Sequence, residues 1–307
     1  MVEKAAVMYH CEGSGHAMKM LAIGQQLEEQ ETEVVITGGG KGEKFIELNG
    51  RDTFSPATIH YTSKYYDEGL LSTVKYLARD APERIRDLRG WLVKHEPDFV
   101  ITDDPLVPFI CMYDGIEYYI VSHWSWRMPK NRIEKAVTWA VNKISTVGAS
   151  GFFYPAVWRG LKPDTAIPVG PIAPKGERKD IDLDILVVPT MMKDRTDEFI
   201  DELRDYKLEV VGSEAWEPQP SLQPYIEEAN VVICGGYSTI MEASVAGTSC
   251  VIVPHTSEQR DIADILEEYE GYKRYSGNIL EDVSQVGDLK PQKNGAEEIA
   301  RYIIEEF

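Results

Sequence analysis

Residues 233–268 read ICGGYSTIMEASVAGTSCVIVPHTSEQRDIADILEE, and this stretch decides the fold. The β-branched run Val231-Val232-Ile233 stops at the glycine pair Gly235-Gly236, and a helix is expected from about Thr239. A strand that hands a glycine pair to a helix N-terminus aims unpaired N–H groups and the positive dipole end at one spot. That is a place for an anion, most often a phosphate. Gly247 ends the helix, Cys250 to Pro254 reads as the next buried strand, and Glu258-Gln259 open a further helix at the same sheet edge. Glu242, on the first turn of its helix, is placed to accept from ribose hydroxyls. Thr239 to Glu242 also fits a capping box, and Thr256 to Gln259 fits a second, so a purely structural reading of Glu242 stays open.

The same alternation extends outward. Asp184–Val188 and Leu208–Val211 read as strands, with a helix expected over 197–206, and Tyr225 to Ala229 leads into the opening stretch. In the first half, strands are expected at Ala5–Tyr9, Glu33–Thr37, Pro97–Thr102 and Glu117–Ser122, and helices over 17–29 and 76–94. This βαβ rhythm predicts an α/β protein of two doubly wound, Rossmann-like domains. Ligands of such sheets lie at the C-terminal strand ends, where Gly13, Asp103 and His123 fall. Between the halves the chain is rich in Pro and Gly, including Pro168, Gly170, Pro171, Pro174 and Gly176. The expected organisation is a first domain over 1–165, a linker over 166–180, a second domain over 181–290 and a final helical segment over 291–307.

Composition narrows the function classes. The 307 residues carry a net charge of −19, and the charge is uneven. Residues 1–175 hold 20 Lys+Arg against 22 Asp+Glu, whereas 176–307 hold 12 against 29. A strongly acidic half argues against nucleic-acid binding, which wants a basic footprint. No apolar run approaches the length of a membrane span, and the N-terminus lacks a signal-peptide layout. Cys11, Cys111, Cys234 and Cys250 stand alone without C-x-x-C spacing, so a reduced cytoplasmic protein is expected. The six histidines show no metal-ligand spacing, and no metal is expected.

Gly13-Ser14-Gly15-His16 turns the first strand into the first helix. Its glycines let backbone turn tightly and approach a substrate closely. His16 lies in the first helical turn, where the dipole favours a neutral ring able to accept a proton, although a histidine that only packs the turn would look the same. The motif is not a dinucleotide fingerprint, since the third glycine position is Met18. Gly38 to Gly42 is not a Walker loop, since Gly42 stands where Ser or Thr is needed. Residues 124–139 gather Trp124, Trp126 and Trp139 with Arg127, Lys130, Arg132 and Lys135. This composition suits peripheral contact with lipid head groups and equally an ordinary half-buried helix.

Together Gly235, Gly236, Ser238, Thr239, Glu242, Ala243, Gly247, Pro254, Glu258 and Gln259 resemble the nucleotide-sugar motif of glycosyltransferases with the GT-B fold. Gly13-x-Gly15-His16-x-x-Lys19-x-Leu21-Ala22 resembles their first βα turn, with Lys19 where relatives carry Arg. The likeness is nearest to the branch containing the lipid-linked N-acetylglucosaminyltransferase of peptidoglycan synthesis. Cys234 replaces a basic residue of that pattern, Ser249 replaces a proline, and Val188-Pro189-Thr190 stands where relatives have a glycine turn, leaving Thr190 as a candidate phosphate contact.

The resemblance implies a hexosyltransferase that moves a sugar from a nucleoside diphosphate, expected to be UDP, to an acceptor hydroxyl, by inversion and without a cofactor. It implies Gly13, Gly15, Gly235, Gly236, Ser238, Thr239, Glu242, Glu258 and Gln259 as nucleotide-sugar-binding residues. His16 is the candidate base, with Asp103 and its neighbour Asp104 as second candidates. His10 and His123 are read as structural or secondary members of the cleft. The acceptor is open and includes a lipid-linked one. A nucleotide-sugar hydrolase, an epimerase and a non-catalytic nucleotide-sugar-binding protein share the same signals.

Overall fold

The computed structural model describes residues 4–128, 132–189 and 193–306. The first half runs β1 (Lys4–Met8), α1 (Ser14–Glu28), β2 (Glu33–Thr37), α2 (Glu43–Leu48), α3 (Tyr61–Glu68), α4 (Leu70–His95), β3 (Phe99–Thr102), α5 (Val107–Asp114), β4 (Glu117–Val121), α6 (Arg132–Ser145), β5 (Gly151–Pro155) and β6 (Ile167–Val169). The second runs β7 (Ile185–Val188), α7 (Lys193–Glu202), β8 (Leu208–Val210), α8 (Gln223–Glu228), β9 (Val231–Cys234), α9 (Tyr237–Ala246), β10 (Ser249–Ile252), α10 (Ser257–Leu266), β11 (Tyr272–Arg274), α11 (Ile279–Gln285) and α12 (Gly295–Glu306).

The strands form two separate parallel sheets. The first has the order β2-β1-β3-β4-β5-β6 and the second β11-β10-β9-β7-β8. Helices cover the faces, so central strands such as Phe99–Thr102 and Val231–Cys234 are buried at every residue. The chain reverses direction across each sheet between β1 and β3 and again between β7 and β9. These are the switch points at which α/β sheets open a crevice. Register levels the strand ends there, with Met8 opposite Thr102 and Val188 opposite Cys234.

Three sequence expectations change. Ile167–Val169, expected at the start of the linker, is the edge strand of the first sheet and pairs with β5. Pro168 fits because an edge strand has a side that needs no donor. The helix expected from Thr239 begins at Tyr237. The helix expected over 76–94 begins at Leu70 and carries Pro82 inside it.

The last helix packs against α1 and β6. The Tyr302 ring meets Phe153 edge-on at 5.3 Å, and Gly295 N–H donates to the Pro171 carbonyl at 2.7 Å. A Cβ at Gly170 would stand 2.3 Å from the Lys293 carbonyl oxygen, so glycine is needed where these segments cross. Among the described residues no helix is long and apolar enough to cross a membrane.

Candidate active site

The first wall of the cleft is the β1/β3 switch point. Gly13 takes φ +89°, which a glycine adopts freely, and turns the chain into α1. His16 follows in the first helical turn with its side chain about one-third exposed. Its Nδ1 lies 2.6 Å from Asp103 Oδ2. One helical turn on, Lys19 Nζ lies 2.8 Å from the same oxygen. The other oxygen accepts from the His10 backbone N–H at 2.7 Å, a bond that the level β1 and β3 ends make possible.

Burial would raise the Asp103 pKa, but Lys19 and His16 outweigh it and hold the carboxyl far below the usual range. Asp103 is therefore an anion that accepts from His16 Nδ1–H. The dipole of α1 is not alone in acting on this ring, because a carboxylate sits against it. Asp103 is thus enclosed by three donors, His16 Nδ1–H, Lys19 Nζ and the His10 backbone N–H.

Behind the pair lies a cluster that sequence reading did not assemble. Arg84, fully buried in α4, donates to Asp104 Oδ2 at 2.7 and 3.0 Å and to the carbonyls of Ala57 and Gly38. His10 lies between Asp104, at 3.6 Å from Nδ1, and Glu12, at 3.1 Å from Nε2. Burial would lower the His10 pKa, but the two carboxylates reverse the shift and raise it to about 9. The same carboxylate of Asp104 is held down to about 2 by Arg84 and His10 against its own burial. The His10 ring meets His16 edge-on at 5.2 Å.

The second wall is the β9–α9 turn. Gly235 is needed because a Cβ there would stand 2.7 Å from the Val253 carbonyl oxygen, where β10 ends. Gly236 is the N-cap of α9 in extended geometry, with no side-chain cap. The capping box expected at Thr239 and Glu242 therefore does not form: starting at Tyr237, the helix makes Thr239 its third residue and puts Glu242 well inside. Thr239 and Glu242 are both buried. Among the described residues Glu242 Oε2 has no hydrogen-bond partner, and burial pushes the carboxyl up to about 8. Burying a polar oxygen without a partner costs stability.

The two walls meet. A Cβ at Gly15 would stand 2.3 Å from Ser238 Oγ, so the first turns of α1 and α9 touch. Two helix N-termini thus converge on one place, and their dipoles add there.

At α10 the expected capping box does form. Thr256 accepts from Gln259 N–H at 3.2 Å, and Gln259 Oε1 accepts from Thr256 and His255 N–H. Gln259 is thereby engaged in its own helix. Glu258 reaches across the cleft instead, where Oε1 takes His123 Nε2 at 2.8 Å and Trp124 Nε1 at 2.9 Å. Burial would raise Glu258, but these two donors hold it below the ordinary carboxylate value. Burial also keeps His123 below the ordinary imidazole value despite Glu258. His123 packs at 4.5 Å on the Tyr237 ring, and Tyr237 OH donates to the Pro155 carbonyl of the first sheet. Thr190 and residues 129–131 of the tryptophan-rich segment lie outside the described residues. In the rest of that segment Trp124 turns into the cleft, whereas Trp139 on α6 is half exposed.

No family model and no curated protein matches the sequence. Solved structures do match along the whole chain. The glycosyltransferase SsfS6 of Streptomyces sp. SF2575, in complex with thymidine diphosphate, aligns with TM-score 0.68 at 14% identity over 99% of each chain. The glycosyltransferase SnogD of Streptomyces nogalater aligns with 0.65 at 14% over 100% of each. MurG of Acinetobacter baumannii aligns with 0.61 at 14% over 99% of each. The expected nearness to the peptidoglycan branch is thus not singled out, since MurG is no closer than the two Streptomyces enzymes. What this likeness carries is architecture: two parallel α/β sheets set across a cleft, the GT-B fold of glycosyltransferases.

Proposed function

We propose that the protein transfers a hexosyl group from a pyrimidine nucleoside diphosphate to an acceptor hydroxyl, with inversion at the anomeric carbon. The observation that carries this reading is the meeting of His16, fixed by Asp103, with the first turn of α9 through Gly15 and Ser238. His16 Nε2 takes the proton of the acceptor hydroxyl as its oxygen bonds the anomeric carbon. The bond from that carbon to the diphosphate breaks on the opposite face, and the diphosphate leaves with the electron pair. The N–H groups of the two helix ends meet the growing negative charge, so the reading needs no metal. In this reading the 1–165 side holds the acceptor and the 181–290 side holds the donor. Glu242 accepts from ribose hydroxyls, which supply the partner its carboxyl lacks.

Uridine was the sequence expectation. The thymidine diphosphate bound to SsfS6 makes a thymidine nucleotide an equal candidate, whose deoxyribose would offer Glu242 its 3′-hydroxyl alone. The test is incubation with UDP- and TDP-sugars, with and without a panel of hydroxyl acceptors, followed by product analysis. Transfer to an acceptor supports the proposal. Sugar released only to water would make the protein a hydrolase, and binding without turnover a sensor; failure to bind any nucleotide would end the reading.

A further inference from the structure

We propose that His123 and Trp124, on the acceptor side of the cleft, position Glu258 as the carboxylate that accepts sugar hydroxyls of the donor. This inference rests on the sugar-nucleotide reading above. It assigns to the first sheet a share in choosing the sugar, which that reading gave to the second sheet alone.

The argument starts from one oxygen. His123 and Trp124 both donate to Oε1 of Glu258, at 2.8 and 2.9 Å. Oε2 takes no hydrogen bond among the described residues, and the side chain is about one-quarter exposed. Two rigid ring donors on one oxygen fix the carboxylate plane and leave the second oxygen for another donor. Neither ring is free to drift. His123 follows β4 and packs on Tyr237 with the rings tilted, and Tyr237 packs in turn on Trp158 at 5.2 Å and donates to the Pro155 carbonyl. The Trp124 carbonyl accepts from Asn142 of α6 at 3.1 Å.

The charge states agree with this geometry. His123 lies below its ordinary value, so its Nε2–H is that of a neutral ring, and Glu258 stays ionised. An ionised carboxylate with one fixed oxygen is a strong acceptor of paired hydroxyls. The neighbouring Gln259 has its carbonyl oxygen engaged by His255 and Thr256 N–H, which leaves Glu258 as the acidic group of this pair facing the cleft.

The test separates sugar from nucleotide. Isothermal titration uses UDP with UDP-glucose and TDP with TDP-glucose, on the unsubstituted protein and on His123→Phe, Trp124→Phe and His123→Gln. The expected result is that nucleoside diphosphate affinity changes by less than about twofold, while nucleotide-sugar affinity falls about tenfold in each Phe variant. His123→Gln retains a side-chain N–H and should recover most of the loss. Trp124→Phe tests the same idea independently if His123→Phe loses its fold, which melting curves would show. Equal weakening of both ligands, or no change in either, overturns the inference and leaves the donor reading standing. If neither nucleotide nor nucleotide sugar binds the unsubstituted protein, the donor reading and this inference fall together.

Discussion

His16 and Asp103 are joined by a 2.6 Å contact from Nδ1 to Oδ2, and Lys19 holds the same oxygen from the next turn of α1. Asp103→Asn removes the charge that orients the imidazole while keeping the volume. The expected effect is a fall in kcat of about 10²–10⁴, in the range of a disabled general base. Lys19 would be left buried without its partner, at a cost of about 3–5 kcal/mol. Steady-state kinetics and melting temperature on one preparation check both parts. A near-normal kcat would mean that Asp103 only anchors Lys19.

If His16 is the base, His16→Ala should lower turnover by about 10²–10⁴ while nucleotide affinity stays near that of the unsubstituted protein, because the proposed base and the proposed donor site belong to opposite walls. His16 is partly exposed, so its loss should cost little stability. A variant with lowered melting temperature and proportionate activity would identify a packing histidine instead. Calorimetry with the nucleoside diphosphate completes the comparison.

Glu242 offers a test with a defined pH sign. Its carboxyl is raised to about 8 in the folded protein by burial, against 4.5 for an ordinary glutamate. A raised acid favours the folded state while protonated, so its contribution is fully present below pH 4.5 and is lost as pH rises through 8. Glu242→Gln does not titrate. Its melting temperature should therefore gain on that of the unsubstituted protein between pH 5 and pH 9. On the proposed reading the same variant should bind nucleotide about 1–3 kcal/mol more weakly, since an amide replaces the carboxyl group assigned to the ribose. Glu242 caps no helix end in the structure, so weaker binding cannot be assigned to a lost cap. Unchanged affinity would detach Glu242 from the ligand.

Gly15→Ala should force the two walls apart, because the new methyl would stand 2.3 Å from Ser238 Oγ and 2.8 Å from its Cβ. Weaker nucleotide-sugar binding and lower activity are expected, with little change in melting temperature. Adding Ser238→Gly removes the clashing atoms and should recover part of the loss. The double-mutant cycle measures this as a departure from additivity. Strict additivity would show that the two turns do not bear on each other in solution.

The strand and helix alternation was legible because buried parallel strands write themselves as β-branched runs, such as Val231 to Ile233. The cleft residues His16, Gly15 and Ser238 were legible from two glycine turns. The partners were not. Arg84 meets Asp104, and His123 meets Glu258, across long stretches of sequence, and no spacing rule joins them. The two capping boxes looked alike, but only the one at Thr256 forms. Contacts of Tyr237 with His123, Trp158 and Pro155 accompany a start of α9 two residues ahead of Thr239. Pro168 read as a loop residue because the sequence does not say which strand lies at an edge.

The return of α12 to α1 and β6 sets the order of events at the ribosome. Gly170, beside the first sheet, donates to Glu298 of α12 at 2.9 Å, 128 residues downstream. At about 5–20 residues per second, roughly 6–25 s of synthesis separate the two partners. During that interval the first sheet has emerged while Ile299, Ala300 and Ile303, which bury against it and its neighbours, are still to be made. The nascent first half thus carries an uncovered apolar face until α12 has been made, and its closure waits on a segment from the far side of the second sheet.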